Sequence, residues 1–144
     1  MPEENNTDSY QITWLIRRLF RAMAQKSGEY LESFGISVAD RAVMEFLYPD
    51  HMLSVPEIAE RYKVSRQHVQ VTVNSLIELS LVKTETNPKH KRSQLILLND
   101  KGRDLFNKIK AREKKEIDLL FSDISASHCK QTRQTLETLL KHLS

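Results

Sequence analysis

The amino-acid sequence predicts a mainly α-helical fold that carries one small β-hairpin. Three observations lead there. The 144 residues include only three glycines (Gly28, Gly35, Gly102) and four prolines, so few positions interrupt a helix. Apolar residues recur at helical spacing over most of the chain. Only between Leu81 and Leu98 does the pattern change to short β-rich runs. A composition of 40% hydrophobic and 28% charged residues is that of a globular domain able to bury a core.

The elements follow in order. Ile12, Leu15, Ile16, Leu19, Phe20 and Met23 form one apolar stripe, which predicts a helix from about Asp8 to Ser33 with Gly35 as its stop. Ser37 caps a second helix, with Asp40 placed to return the cap. That helix draws on Val38, Met44, Phe46 and Leu47 and ends before Pro49. Ser54 and Glu57 form another capping box, with Pro56 in the first turn of a short helix carrying Ile58, Ala59 and Tyr62. Lys63-Val64 makes a tight turn. Ser65 then caps a helix whose inner face takes Val69, Val73, Leu76 and Ile77. Leu81 to Thr86 and Gln94 to Leu98 read as a two-stranded hairpin joined by the polar loop Asn87 to Ser93. Asn99 caps a long helix running from Asp100 to about Phe121. A last helix starts near Ser125 and carries Leu136, Leu139, Leu140 and Leu143 on one stripe.

The chain is therefore expected to be one domain, 1–144, with a core at 37–98 flanked by terminal helices at 8–34 and 100–144. The terminal stripes hold more apolar surface than two paired helices cover, and a second copy of the chain is the simplest cover. Ile12, Leu15, Leu136, Leu139, Leu140 and Leu143 are the expected interface. The longest apolar run is Leu95 to Leu98, far short of a membrane span, and the polar start MPEENNTDSY lacks the apolar segment of a signal peptide. With one cysteine, Cys129, no internal disulfide is available, which fits a cytoplasmic protein.

Charge is unevenly placed. Between Arg61 and Arg92 stand seven basic residues against Glu78 and Glu85, a net +5 within a chain of net +3. Such concentration suits a nucleic-acid contact. The same segment carries Ile58-Ala59, Tyr62, Val64-Ser65 and Val69 at the spacing a helix-turn-helix needs: a small residue at the crossing, a plug in the turn, a cap, and a residue that packs back. On the outer face of its second helix lie Gln67, His68, Val71, Asn74 and Ser75, flanked by Arg66 and Gln70. Amides can pair with adenine edges and arginine with guanine or phosphate. An outward Val71 is a poor solvent residue but suits a thymine methyl.

Further blocks carry a family likeness: Phe34-Gly35-Ile36-Ser37, Val64-Ser65-Arg66, Leu76 before Leu81-Val82, the loop Asn87-Pro88-Lys89-His90-Lys91-Arg92-Ser93, and Leu97-Leu98-Asn99-Asp100-Lys101-Gly102. Over nearly its whole length the sequence resembles the MarR family of winged helix-turn-helix transcription regulators. The resemblance implies a homodimer built from the terminal helices. It also implies a recognition helix in the major groove of double-stranded DNA, using Ser65, Arg66, Gln67, His68, Gln70, Val71, Asn74 and Ser75. The wing (Lys89, His90, Lys91, Arg92) then reaches the minor groove through its arginine. A repressor role and a small-molecule effector are also implied, with Trp14, Tyr30, Met44 and Tyr48, and Phe34 beside them, as candidate pocket walls. The sequence departs from the family pattern at Asn87 and His90, where aspartates are commoner, at Ser80, where glycine is usual, and at Val71, where arginine is frequent. The alternative reading is a winged-helix protein-interaction or RNA-binding module without operator specificity.

Other chemistry finds little support. The five histidines (His51, His68, His90, His128, His142) form no paired metal-ligand spacing, and no cofactor or metal is expected. Cys129, between His128 and Lys130, reads as a packed thiol. No phosphate loop, dinucleotide fingerprint or nucleophile elbow is present, so no catalytic residue is expected.

Overall fold

Local capping sets most helix starts. The computed structural model describes residues 6–144; the reading of the acidic start, Met1 to Asn5, lies outside the described residues. The elements are α1 Asp8–Ser33, α2 Val38–Leu47, β1 Leu53–Ser54, α3 Val55–Tyr62, α4 Arg66–Glu78, β2 Val82–Thr86, β3 Gln94–Leu98, α5 Asp100–Leu120 and α6 Ala126–Leu143. The fold is mainly α with a small antiparallel sheet. Ser37 and Asp40 close one reciprocal capping box and Ser54 and Glu57 another; Ser65 and Ser125 accept from the backbone N–H three residues on. The described residues fall into two compact units, one ending at Ile109 and the other Lys110–Ser144.

Within the first unit, two helix ends share one device. After α1, Gly35 takes φ +77°, its N–H donates to the Glu32 carbonyl at 3.0 Å, and the Ile36 N–H donates to the Leu31 carbonyl at 3.3 Å. After α4, Ser80 takes φ +58°. There the Ser80 N–H donates to Ile77 and the Leu81 N–H to Leu76, both at 3.0 Å. Both are Schellman ends, each seating a buried apolar pair, Leu31 with Ile36 and Leu76 with Leu81. Glycine suits the left-handed position without strain, and Ser80 occupies it with a side chain.

The core gathers Leu31, Val43, Met44, Leu47, Ile58, Val69, Leu76, Leu98, Phe106 and Ile109, none more than 2% exposed. The hairpin is not two-stranded, as the sequence pattern suggests. β1 adds a third strand, in the order β1-β3-β2, pairing Leu53 with Ile96 and Ser54 with Leu95. Ile77 is a second correction. It is 45% exposed rather than on the inner face of α4, because Val73 and Leu76 already fill the contact with the core.

The start of α5 is locked to the end of α4. The Asn99 side chain accepts from the Gly102 N–H at 2.8 Å and donates to the Ser80 carbonyl at 2.7 Å, while the Asn99 N–H donates to the Leu81 carbonyl at 3.1 Å. Lys101 Nζ adds a bond to the Leu79 carbonyl at 3.0 Å. The approach is so close that a Cβ on Gly102 would lie 2.1 Å from the Leu81 oxygen. This junction fixes where the hairpin leaves the helix.

Several surfaces keep apolar side chains in the open. On α1 these include Ile12, Leu15, Leu19 and Phe20, the last 73% exposed. In the second unit Leu119, Leu120, Leu136, Leu140 and Leu143 are exposed, Leu139 is half-buried, and α6 has no fully buried residue. Its polar positions are tied by the pairs Arg112–Glu116, Lys114–Asp118 and Arg133–Glu137. Among the described residues, no helix is long and apolar enough to cross a membrane.

Candidate nucleic-acid interface

The α3–α4 pair forms a helix-turn-helix from the inside outward. Ile58, Ala59 and Val69 are buried at the crossing, and Val64 is half-buried in the turn. The turn reverses at Lys63, which takes φ +61°, and the Val64 N–H donates to the Ala59 carbonyl at 3.2 Å. Ser65 Oγ accepts from the His68 N–H at 3.0 Å and starts α4. Tyr62 supports the junction. Its ring meets Phe46 edge-on at 5.7 Å and lies 6.3 Å from the His68 imidazole.

This packing leaves the outer face of α4 open. Ser65, Arg66, Gln67, His68, Gln70, Val71 and Asn74 are all exposed, and Ser75 is half-buried. Val71 stands 63% exposed, flanked in sequence by Gln70 and Thr72. Gln70 Nε2 donates to Asn74 Oδ1 at 2.9 Å across one helical turn. Thr72 turns inward, and its hydroxyl donates to the His68 carbonyl.

The wing is shaped by Asn87, which the sequence pattern marks only as the start of a polar loop. Asn87 is 7% exposed, and its Oδ1 accepts from the Lys89 N–H at 3.0 Å. An Asx turn of this kind gives the loop a backbone-like reversal ahead of its cations. The Asn-Pro dipeptide signals the turn; its burial has no local signal. Lys89, His90, Lys91 and Arg92 are all exposed. Among the described residues none of Arg66, Lys89, Lys91 and Arg92 is ion-paired with an acid, so their charge is available to a partner.

Helix and wing meet in one open groove, lined by Arg66, Gln67 and Gln70 from α4 and by Lys91, Arg92 and Ser93 from the wing. A second cleft, which shares Arg66 and Arg92 with the first, brings Glu57 together with Lys89 and His90. Sequence reading took Glu57 only as a cap. Its carboxyl is held below the usual carboxylate range, first by the Ser54 N–H and then by the Ser54 hydroxyl. Arg61 and Lys89 act in the same direction, and desolvation opposes them. No local pattern links Glu57 to the wing, because more than thirty residues separate them.

The candidate pocket residues divide. Met44 is wholly enclosed in the core and Tyr30 is 9% exposed. Tyr48 packs against the same cluster, its ring 4.8 Å from Phe106, and its hydroxyl is hydrogen-bonded to Asn107 Oδ1. Trp14 stands outside that cluster, partly exposed, with the Arg18 guanidinium 4.6 Å over its ring. Among the described residues there is no cluster of three or more histidine, cysteine or acidic side chains able to hold a metal. Cys129 is a free, half-buried thiol.

Comparison with known proteins agrees with this geometry. A model of the MarR family matches residues 34–93, the span from the end of α1 through the wing. An uncharacterised protein of Mycobacterium tuberculosis is 27% identical over 135 residues, covering 92% of this chain and 87% of that protein. The uncharacterised HTH-type transcriptional regulator YkoM of Bacillus subtilis is 25% identical over 123 residues, covering 85% and 80%. Among solved structures, a MarR transcriptional regulator from Methanosarcina mazei superposes with a TM-score of 0.84 at 20% identity, covering 91% of this chain and 94% of its own. Staphylococcus aureus MepR in complex with DNA gives 0.79 at 21%, covering 92% and 98%. Staphylococcus aureus MarR in complex with salicylate and kanamycin gives 0.85 at 18%, covering 94% and 91%. At these identities the superpositions establish the fold.

Proposed function

We propose, from the match of residues 34–93 to a model of the MarR family, that this chain is a transcription regulator that binds double-stranded DNA sequence-specifically and does no enzymatic chemistry. The observation that carries the reading is the shared groove. α4 offers Arg66 and the amides Gln67 and Gln70, and the wing offers the unpaired cations Lys91 and Arg92, on the two walls of one opening. In this reading α4 enters the major groove, Lys89 and Lys91 hold phosphates, and Arg92 reaches the adjacent minor groove.

The assembly is a homodimer, supported by the apolar side chains left open on α1 and α6, Ile12, Leu15, Leu136, Leu140 and Leu143 among them. The default action is repression. A small-molecule effector is part of the same reading, supported by the salicylate complex of a structural relative. Since Met44 is wholly enclosed, an effector that used Tyr30, Met44 and Tyr48 would have to open the core beside them.

The test is binding to the chain's own promoter with non-specific competitor present. A two-fold dimer places half-site centres about 10 bp apart, so a five-base-pair central insertion turns one half-site by about half a turn and abolishes tight binding. Unchanged affinity refutes paired docking. Equal competition by RNA or by random DNA refutes operator specificity. A species of 16.8 kDa at micromolar concentration in sedimentation equilibrium refutes the dimer.

A further inference from the structure

We infer that Gln70, Asn74 and Val71 read DNA as one coupled unit, and that the unit specifies an adenine and a thymine within two base pairs of each other in each half-site. The inference rests on the DNA-binding reading above and gives that surface its base preference.

The coupling is the 2.9 Å hydrogen bond from Gln70 Nε2 to Asn74 Oδ1. A free carboxamide can turn either its oxygen or its nitrogen to a base edge. Here the two amides constrain each other, since rotating only one would bring nitrogen against nitrogen or oxygen against oxygen. The bond uses one hydrogen of Gln70 Nε2 and leaves the other, together with Oε1: one donor and one acceptor. Adenine presents the complement in the major groove, N7 as acceptor and the N6 amino group as donor. Asn74 has accepted through Oδ1 and keeps both Nδ2 hydrogens, so it faces DNA as a donor.

Val71 decides which acceptor Asn74 meets. The two residues are three apart on α4 and therefore neighbours on its surface, and both are exposed. Thymine is the base whose edge sets an acceptor, O4, beside a methyl group. A donor next to an exposed isopropyl group matches that edge better than guanine, which offers two acceptors and no methyl. Residues four apart rise about 6 Å along a helix. With about 3.4 Å between base pairs, the adenine and the thymine lie within two steps.

The test is selection of bound sequences from DNA with randomised half-sites, using the full-length protein, its Gln70→Ala, Val71→Ala, Asn74→Ala and Asn74→Asp variants and the double variant Gln70→Ala with Asn74→Ala. All three positions are exposed, so the variants should fold, and the readout is base enrichment among the bound sequences rather than total binding, which Asn74→Asp should lower on every sequence by adding a negative charge that faces DNA. Wild type should enrich adenine and thymine at two positions at least about fivefold each. Asn74→Asp is the discriminating change. A carboxylate still accepts from Gln70 Nε2 but cannot donate, so adenine should persist while thymine gives way to cytosine, whose N4 donates. Asn74→Ala should weaken both positions and cost nothing further at the adenine position when added to Gln70→Ala. Val71→Ala should weaken thymine alone. An adenine preference unchanged in Asn74→Ala overturns the coupling. DNA retained with no base enriched overturns the assignment of this face but leaves a non-specific DNA binder. No DNA retained by wild type overturns the DNA-binding reading itself.

Discussion

Replacing Gly102 with alanine tests the junction that sets the wing's position. Helix propensity alone predicts a gain of up to about 1 kcal/mol for glycine to alanine inside a helix. The structure predicts the opposite sign. The new Cβ would lie 2.1 Å from the Leu81 oxygen, 3.1 Å from the Leu81 carbonyl carbon and 3.2 Å from Leu98 Cδ2. Reaching even 3.0 Å, about the closest a Cβ comes, needs a separation of about 0.9 Å between α5 and the Leu81 backbone. The 3.1 Å bond from the Asn99 N–H to that same carbonyl would be lost over such a distance. Overpacking costs about 1–3 kcal/mol and a lost hydrogen bond about 1 kcal/mol. Set against the propensity gain, the net loss is about 1–3 kcal/mol. At about 3 °C per kcal/mol this lowers Tm by roughly 3–9 °C, read by circular dichroism at fixed protein concentration. Gly28→Ala is the control. Its Cβ would meet only Val38 Cγ2 at 3.8 Å, an ordinary contact, so Tm should hold or rise slightly. A Gly102→Ala protein as stable as wild type would show that α5 yields freely against Leu81 and refute the reasoning.

Three further outcomes are expected. Ser80→Gly should raise stability by about 0.5–1 kcal/mol in urea unfolding, because it removes a side chain from a left-handed backbone position and returns part of that gain as unfolded-chain entropy; a loss would mean the Ser80 side chain stabilises the turn. Lys89→Ala should weaken binding to all DNA sequences and reduce the salt slope by about one unit, whereas Arg92→Ala should also flatten preference for A·T pairs outside the major-groove half-sites. Binding of both variants at wild-type strength at every salt concentration would remove the wing from the interface. Glu57 has a folded-state pKa held below its ordinary value of 4.5, so its contribution to stability is complete above that value and is lost as pH falls through the lowered one. Glu57→Gln should therefore flatten the acid side of the stability–pH profile below about pH 4.5 and leave its neutral-pH slope unchanged; an unaltered acid limb would contradict the shift.

Much of this architecture was legible without coordinates because it is encoded over three or four residues. Ser37, Ser54, Ser65 and Ser125 each cap a helix within one turn of themselves, and Gly35 ends α1 by bonds that reach back no more than five residues. The outward face of α4 follows from helical periodicity once Val69 is placed inside, and Val71, Gln70 and Asn74 are exposed as that periodicity requires. What the tertiary structure alone decided is non-local. β1 is two residues long and becomes a strand only by pairing with Ile96 and Leu95, some forty residues away. The apolar character of Ile77 predicts an inward position, but Val73 and Leu76 fill the core contact and Ile77 stands at the surface. Asn87 is buried, Glu57 faces the wing cations, and Gly102 tolerates no side chain because distant segments arrive beside them. The Gln70–Asn74 bond lies between these cases: the sequence puts the two amides one turn apart, and only the folded side chains show which atom donates. Capping and periodicity act within one or two turns of a helix, so residue order alone determines them. Strand pairing, burial and close backbone approach depend on which remote surfaces meet, and that is decided by the packing of the whole chain.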